Sequence, residues 1–69
     1  MPDKTDKQTG KKIRSYRKTL GLSQAALEGK SGVPSNTIAR LERGEHTAST
    51  PILKKLAHAL GVTVNDLLD

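Results

Sequence analysis

The stretch SQAALEGKSGVPSNTIARLERG, residues 23–44, carries two short helical patterns with a break between them. Ser23 is a good N-cap, because its hydroxyl can accept from an orphan backbone N–H, and Gln24, Ala25, Ala26 and Leu27 continue a helix that Ser31-Gly32 ends. Val33-Pro34 then forces a turn: proline disfavours helical geometry in the residue before it but suits a helix start. The next helix begins near Ser35 and runs to about Arg43, where Gly44 closes it. Val33, Ile38 and Leu41 suit its buried stripe, while the opposite face carries Ser35, Asn36, Thr37 and Arg40. An ordinary solvated face would favour Glu and Lys, which are better helix formers than Ser, Asn or Thr. This face is therefore fitted to touch something.

Working outward, Ile13, Tyr16 and Leu20 recur at helical spacing within residues 11–20, and Gly21 stops that first helix. Lys11 and Lys12 stand at its start, where the helix dipole disfavours cations by roughly 0.3–1 kcal/mol each and a nearby phosphate would offset the cost. Residues 1–10 lack apolar periodicity and read as a flexible N-terminal arm, with residues 11–69 as the folded domain. Downstream, Thr50 is an N-cap followed by Pro51 at the first helical position. The helix they open places Ile52, Leu53, Leu56, Ala57 and Leu60 on one side, Lys54 and Lys55 on the other, and ends at Gly61. Thr63 caps a last short helix with Val64, Leu67 and Leu68 apolar and Asp66 near its start. The fold class is all-α, five short helices.

Composition narrows the function. Sixty-nine residues make one small domain, with Tyr16 the sole aromatic and no cysteine, so the core is aliphatic and lacks disulfides or thiolate metal sites. No apolar run approaches a membrane span or a signal-peptide core, and a soluble protein of the cytoplasm is expected. The net charge is +5; residues 1–10 and 19–69 are each balanced, so the excess lies in Lys11, Lys12, Arg14, Arg17 and Lys18. Such a cluster attracts polyanions, although a basic helix face also serves solubility. His46 and His58 are isolated and no serine has a matching His and acid, so neither a metal site, a cofactor nor an enzyme is expected.

Two short helices joined by a tight Gly-containing turn over residues 24–43 have the dimensions of a helix-turn-helix. In that motif the second helix enters the major groove of double-stranded DNA and offers its first residues to base edges. Asn36 suits adenine N6 and N7, and Arg40 suits guanine O6 and N7, each bidentate contact worth about 1–3 kcal/mol of discrimination. Lys11, Lys12, Arg14 and Lys18 are candidate phosphate contacts.

The runs IRSYRKTLGLSQAAL, GVPSNTIARLERG and PILKKLAHALGVTVNDLL together resemble the Cro and phage-repressor type of helix-turn-helix domain, over about residues 11–68. The resemblance implies a lambda-repressor-like fold and a transcriptional regulator, a repressor or control protein acting on a near-palindromic operator. It implies base contacts from Ser35, Asn36, Thr37 and Arg40, and phosphate contacts from Ser23, Gln24, Arg43, Thr47 and Ser49. Arg17 and Glu42 match a basic and an acidic position that pair in many members, a structural pair rather than a DNA contact. Val64, Leu67 and Leu68 either finish the core or join a twofold partner, and a homodimer is expected. One departure stands out: Glu28 occupies a position where the family usually has alanine, and it either leans into water or finds a cation such as Lys30 or an arginine. A rival reading is a protein-binding module, an antitoxin or adaptor on the same fold.

Overall fold

The glycines and prolines that punctuate the chain lie at helix ends in the structure. It is a computed structural model that describes the backbone of residues 2–68 and the side-chain surroundings of residues 7–68. Five α-helices follow one another: α1 (Pro2–Thr19), α2 (Gln24–Ser31), α3 (Ser35–Glu42), α4 (Thr50–Leu60) and α5 (Val64–Leu68). No strand occurs among the described residues.

The turn between α2 and α3 is built by three residues. Gly32 takes the left-handed conformation at φ 80° and donates its N–H to the Glu28 carbonyl, ending α2. Ser31 Oγ donates to the Leu27 carbonyl at 2.7 Å and accepts from the Val33 N–H at 3.1 Å. Val33 then plunges into the core, and Pro34 starts α3.

Ile13, Leu27, Val33, Ile38, Leu56 and Leu67 are sealed from solvent, with Leu41, Leu53, Ala57 and Leu60 around them. Each fully buried aliphatic of this size contributes about 1.5–3 kcal/mol, so the five helices fold as one unit around a single aliphatic centre. α5 is held at its start by a reciprocal cap: the Asp66 N–H donates to Thr63 Oγ1 at 3.1 Å and the Thr63 N–H donates to Asp66 Oδ2 at 2.9 Å.

Four expectations are corrected. The boundary at residue 10 falls inside α1, which begins at Pro2 rather than Lys11. No apolar stripe signals this extension, because its packing residues are small: Thr9 and Gly10 are buried, and a Cβ on Gly10 would collide with the Leu41 carbonyl oxygen. Leu20 lies past the end of α1 and is half exposed, so Ile13 rather than Leu20 anchors that helix. Ser49, not Thr50, holds the N-cap position of α4, without a side-chain cap bond, and Pro51 sits one position further into the helix. Leu67 is sealed within the monomer and cannot present surface to a partner; Val64 is half-buried, which leaves Leu68, 40% exposed, as the apolar group α5 offers outward.

Candidate nucleic-acid interface

α3 divides its side chains sharply. Ile38 and Leu41 face the core, Asn36, Arg40 and Arg43 stand exposed on the outer side, and Ser35 and Thr37 are half-buried at its flanks. Asn36 and Arg40 are four residues apart, which stacks them one turn above the other. The amide offers a donor and an acceptor and the guanidinium offers paired donors, the groups that meet base edges in a bidentate way. Of the expected base-reading set, the structure brings Asn36 and Arg40 to the open face and sets Ser35 and Thr37 beside it.

The orientation of this face is set by Glu42 on the flank of α3. Arg17 Nε donates to Glu42 Oε2 at 2.7 Å and Arg17 Nη2 donates to Glu42 Oε1 at 3.0 Å, a two-pronged pair that joins α1 to α3. The third arm, Arg17 Nη1, donates to the Leu22 carbonyl at 2.8 Å, and Gln24 Nε2 donates to Glu42 Oε1 at 3.1 Å. Hydrogen bonding to Glu42 raises the Arg17 pKa further, outweighing the lowering by burial, so the guanidinium stays charged. Three helices therefore meet at one carboxylate, and the first residue of α2 is tied to the last residue of α3. Gln24 thus has its amide group on Glu42, and Ser23 accepts from the Ala26 N–H at 3.0 Å as the cap of α2.

The loop after α3 brings Arg43, Thr47 and Ser49 to the surface. Arg43 Nε and Nη2 donate to Glu45 at 2.9 and 3.1 Å. That hydrogen bonding holds the Glu45 carboxyl below its ordinary value, with the charges of Arg43 and Arg40 adding to it. Both partners are more than half exposed, so a phosphate can replace Glu45 as the acceptor with little desolvation.

On α1 the basic residues separate onto two sides. Lys7, Lys11, Arg14 and Lys18 recur at intervals of four, three and four, which places them on one exposed stripe spanning roughly 16 Å along the helix. The stripe begins against the end of α3, where a Cβ on Gly44 would lie 2.9 Å from Lys7 Cγ. Lys12 does not belong to it. It stands across from α5 beside Ser15, Tyr16, Asn65 and Asp66, and its charge helps lower the Asp66 pKa. Lys12, expected beside the others as a phosphate contact, therefore stands apart from the stripe on the α5 side of α1. Lys7 was hidden by the charge balance of residues 1–10, although its four-residue spacing to Lys11 is a readable signal.

Glu28 takes the first alternative, leaning out to the surface, and adds a contact that neither alternative named. It is exposed, yet its Oε1 accepts the Ser35 backbone N–H at 3.2 Å, spanning the turn between α2 and α3. Among the described residues, no cluster of His, Cys, Asp or Glu is grouped to hold a metal, and no helix is long and apolar enough to cross a membrane.

A helix-turn-helix family model matches residues 13–67. The chain is 41% identical over 61 residues to the HTH-type transcriptional regulator SlrR of Bacillus subtilis, covering 87% of this chain but 40% of that protein. Among solved structures it resembles the restriction-modification controller protein C.AhdI from Aeromonas hydrophila, with a TM-score of 0.86, 32% identity and coverage of 90% and 94% of the two chains. It also resembles the DNA-binding domain of BldD, with a TM-score of 0.87 and 34% identity over the full length of both chains. These relatives and neighbours are a transcriptional regulator, a controller protein and a DNA-binding domain.

Proposed function

The chain belongs to the helix-turn-helix family, and from that membership we propose that it is a sequence-specific regulator of transcription that reads double-stranded DNA with α3 in the major groove. Asn36 reads adenine and Arg40 reads guanine, while Ser35 and Thr37 make shorter contacts from the flanks of the helix. Ser23, Gln24, Arg43, Thr47, Ser49 and the α1 stripe of Lys11, Arg14 and Lys18, extended by Lys7, hold the phosphates. The observation that carries the reading is the division of α3: Asn36 and Arg40 are left open while the Arg17, Glu42 and Gln24 network fixes the helix from behind.

The regulator works as a dimer, a repressor or control protein, through the α5 end where Leu68 is exposed. Two copies place their α3 helices about one DNA turn apart, roughly 34–36 Å, and require a near-palindromic operator. The test is selection from a random duplex library at near-physiological salt, with the wild type beside an Asn36→Ala plus Arg40→Ala variant. A palindromic motif enriched by the wild type and lost by the variant is the expected result. No enrichment by the wild type overturns the proposal and leaves the fold as a scaffold for a protein partner.

A further inference from the structure

α3 begins without a cap of its own. Pro34 occupies the N-cap position and contributes no side-chain hydrogen bond. A helix start leaves backbone N–H groups without partners inside the helix and carries partial positive charge, a combination that draws anions. The Ile38 N–H is taken by the Pro34 carbonyl, so the N–H groups of Ser35, Asn36 and Thr37 precede the first intrahelical bond. The anion that reaches the first of them is the carboxylate of Glu28, carried on α2 seven residues earlier. Glu28 is exposed, forms no ion pair among the described residues, and binds the residue directly preceding Asn36.

We propose that Glu28 is a specificity-determining residue: its carboxylate closes the start of α3 to backbone phosphates, so that DNA outside the preferred sequence is held less well. The inference rests on the DNA-binding reading above. A chain of net charge +5 with a basic stripe on α1 attracts any duplex. In a complex held in register by Asn36 and Arg40, base edges rather than phosphates face the start of α3. A duplex out of register slides its backbone past that point, where an uncapped helix start would capture a phosphate. Glu28 already fills the Ser35 N–H and repels the phosphate, lowering the affinity of the unregistered complex more than that of the registered one.

Two variants separate the charge from the cap. Glu28→Gln keeps an oxygen that can accept the Ser35 N–H but removes the charge; Glu28→Ala removes both. Binding of wild type and variants is measured on the preferred duplex and on a random duplex across a salt series, with circular dichroism and thermal melting to verify folding. For Glu28→Gln, random-duplex affinity is expected to rise roughly three- to fivefold while preferred-duplex affinity changes by less than about twofold. For Glu28→Ala, the vacated N–H gains a phosphate and the logarithmic salt slope on random DNA steepens by about 0.9. If Glu28→Ala melts, Glu28→Gln alone decides. An unchanged or weaker random-duplex affinity in Glu28→Gln overturns the proposal, as does a loss confined to sites with cytosine at one position, which would make Glu28 a base reader. A wild type that selects no motif refutes the DNA-reading function itself; a wild type with a motif and an unchanged specificity ratio in Glu28→Gln refutes only the role of Glu28.

Discussion

Replacing Arg17 with methionine removes the three hydrogen bonds that its guanidinium makes to Glu42 and Leu22 while keeping a side chain of similar length. The Glu42 side chain, 5% exposed, is left as a buried carboxylate that still accepts from Gln24. Breaking a buried pair from one side costs about 3–5 kcal/mol, because the charge left behind has lost its compensation. A chain of 69 residues has a total stability of roughly 3.5–10 kcal/mol at the usual 0.05–0.15 kcal/mol per residue. Arg17→Met is therefore expected to remove between a third and all of the stability, shifting the urea midpoint strongly downward when helix content is followed by circular dichroism. The companion variant, Arg17→Met with Glu42→Leu, replaces the pair by apolar groups, a change often neutral in other proteins, and is expected to recover to within about 2 kcal/mol of wild type. A loss below about 1 kcal/mol in the single variant would refute the buried-charge reasoning. So would a double variant no more stable than the single one.

Further outcomes follow from other contacts. Gly29→Ala, at a helical site whose new Cβ meets nothing, is expected to stabilise by about 1 kcal/mol, and Gly10→Ala, whose Cβ meets the Leu41 carbonyl, to destabilise by about 1–3 kcal/mol, both read by urea unfolding. The Asp66 pKa lies below the ordinary aspartate value because it accepts the Thr63 N–H, then the Thr63 hydroxyl, with Lys12 adding to these. A depressed folded pKa means that its stabilisation is complete above the ordinary value near about 3.9 and fades as pH falls through the lower folded value, so Asp66→Asn flattens the acid limb of the stability curve. Changing Lys7, Lys11, Arg14 and Lys18 one at a time to glutamine is expected to reduce the salt slope of DNA binding by about 0.9 each, whereas Lys12→Gln leaves it unchanged.

Much of this architecture was legible in the sequence because its breaks are chemical. Gly32, Pro34, Gly44 and Gly61 mark ends that no side-chain packing is needed to predict, and the spacing of Ile38 and Leu41 assigned the buried side of α3 and hence its open side. The Arg17 and Glu42 pairing followed from family resemblance and not from spacing, since the two lie 25 positions apart. Two features that escaped share a cause: interactions through backbone atoms leave no pattern in side-chain types. Gly10 packing on the Leu41 carbonyl extended α1 without an apolar stripe, and Glu28 found a backbone N–H rather than a cation. The fate of Leu67 and Leu68 likewise depended on which adjacent residue the last turn rotates inward.

Tyr16 is the chain's only aromatic residue, and it sits half-buried at the junction of α1 with α5, beside Asn65 and Asp66. Its intrinsic emission is therefore an optical signal from a single known address, free of overlap from any tryptophan. The junction lies on the side of α1 that meets α5, whereas Leu68 lines a cavity with Thr9, Gly10 and Leu41 on the side where α1 meets α3. Titration with an oligonucleotide and dilution of the protein alone should consequently leave different traces in one unlabelled sample. In the proposed dimer, subunit exchange is expected to reach the tyrosine through α5, and groove docking to reach it through α1.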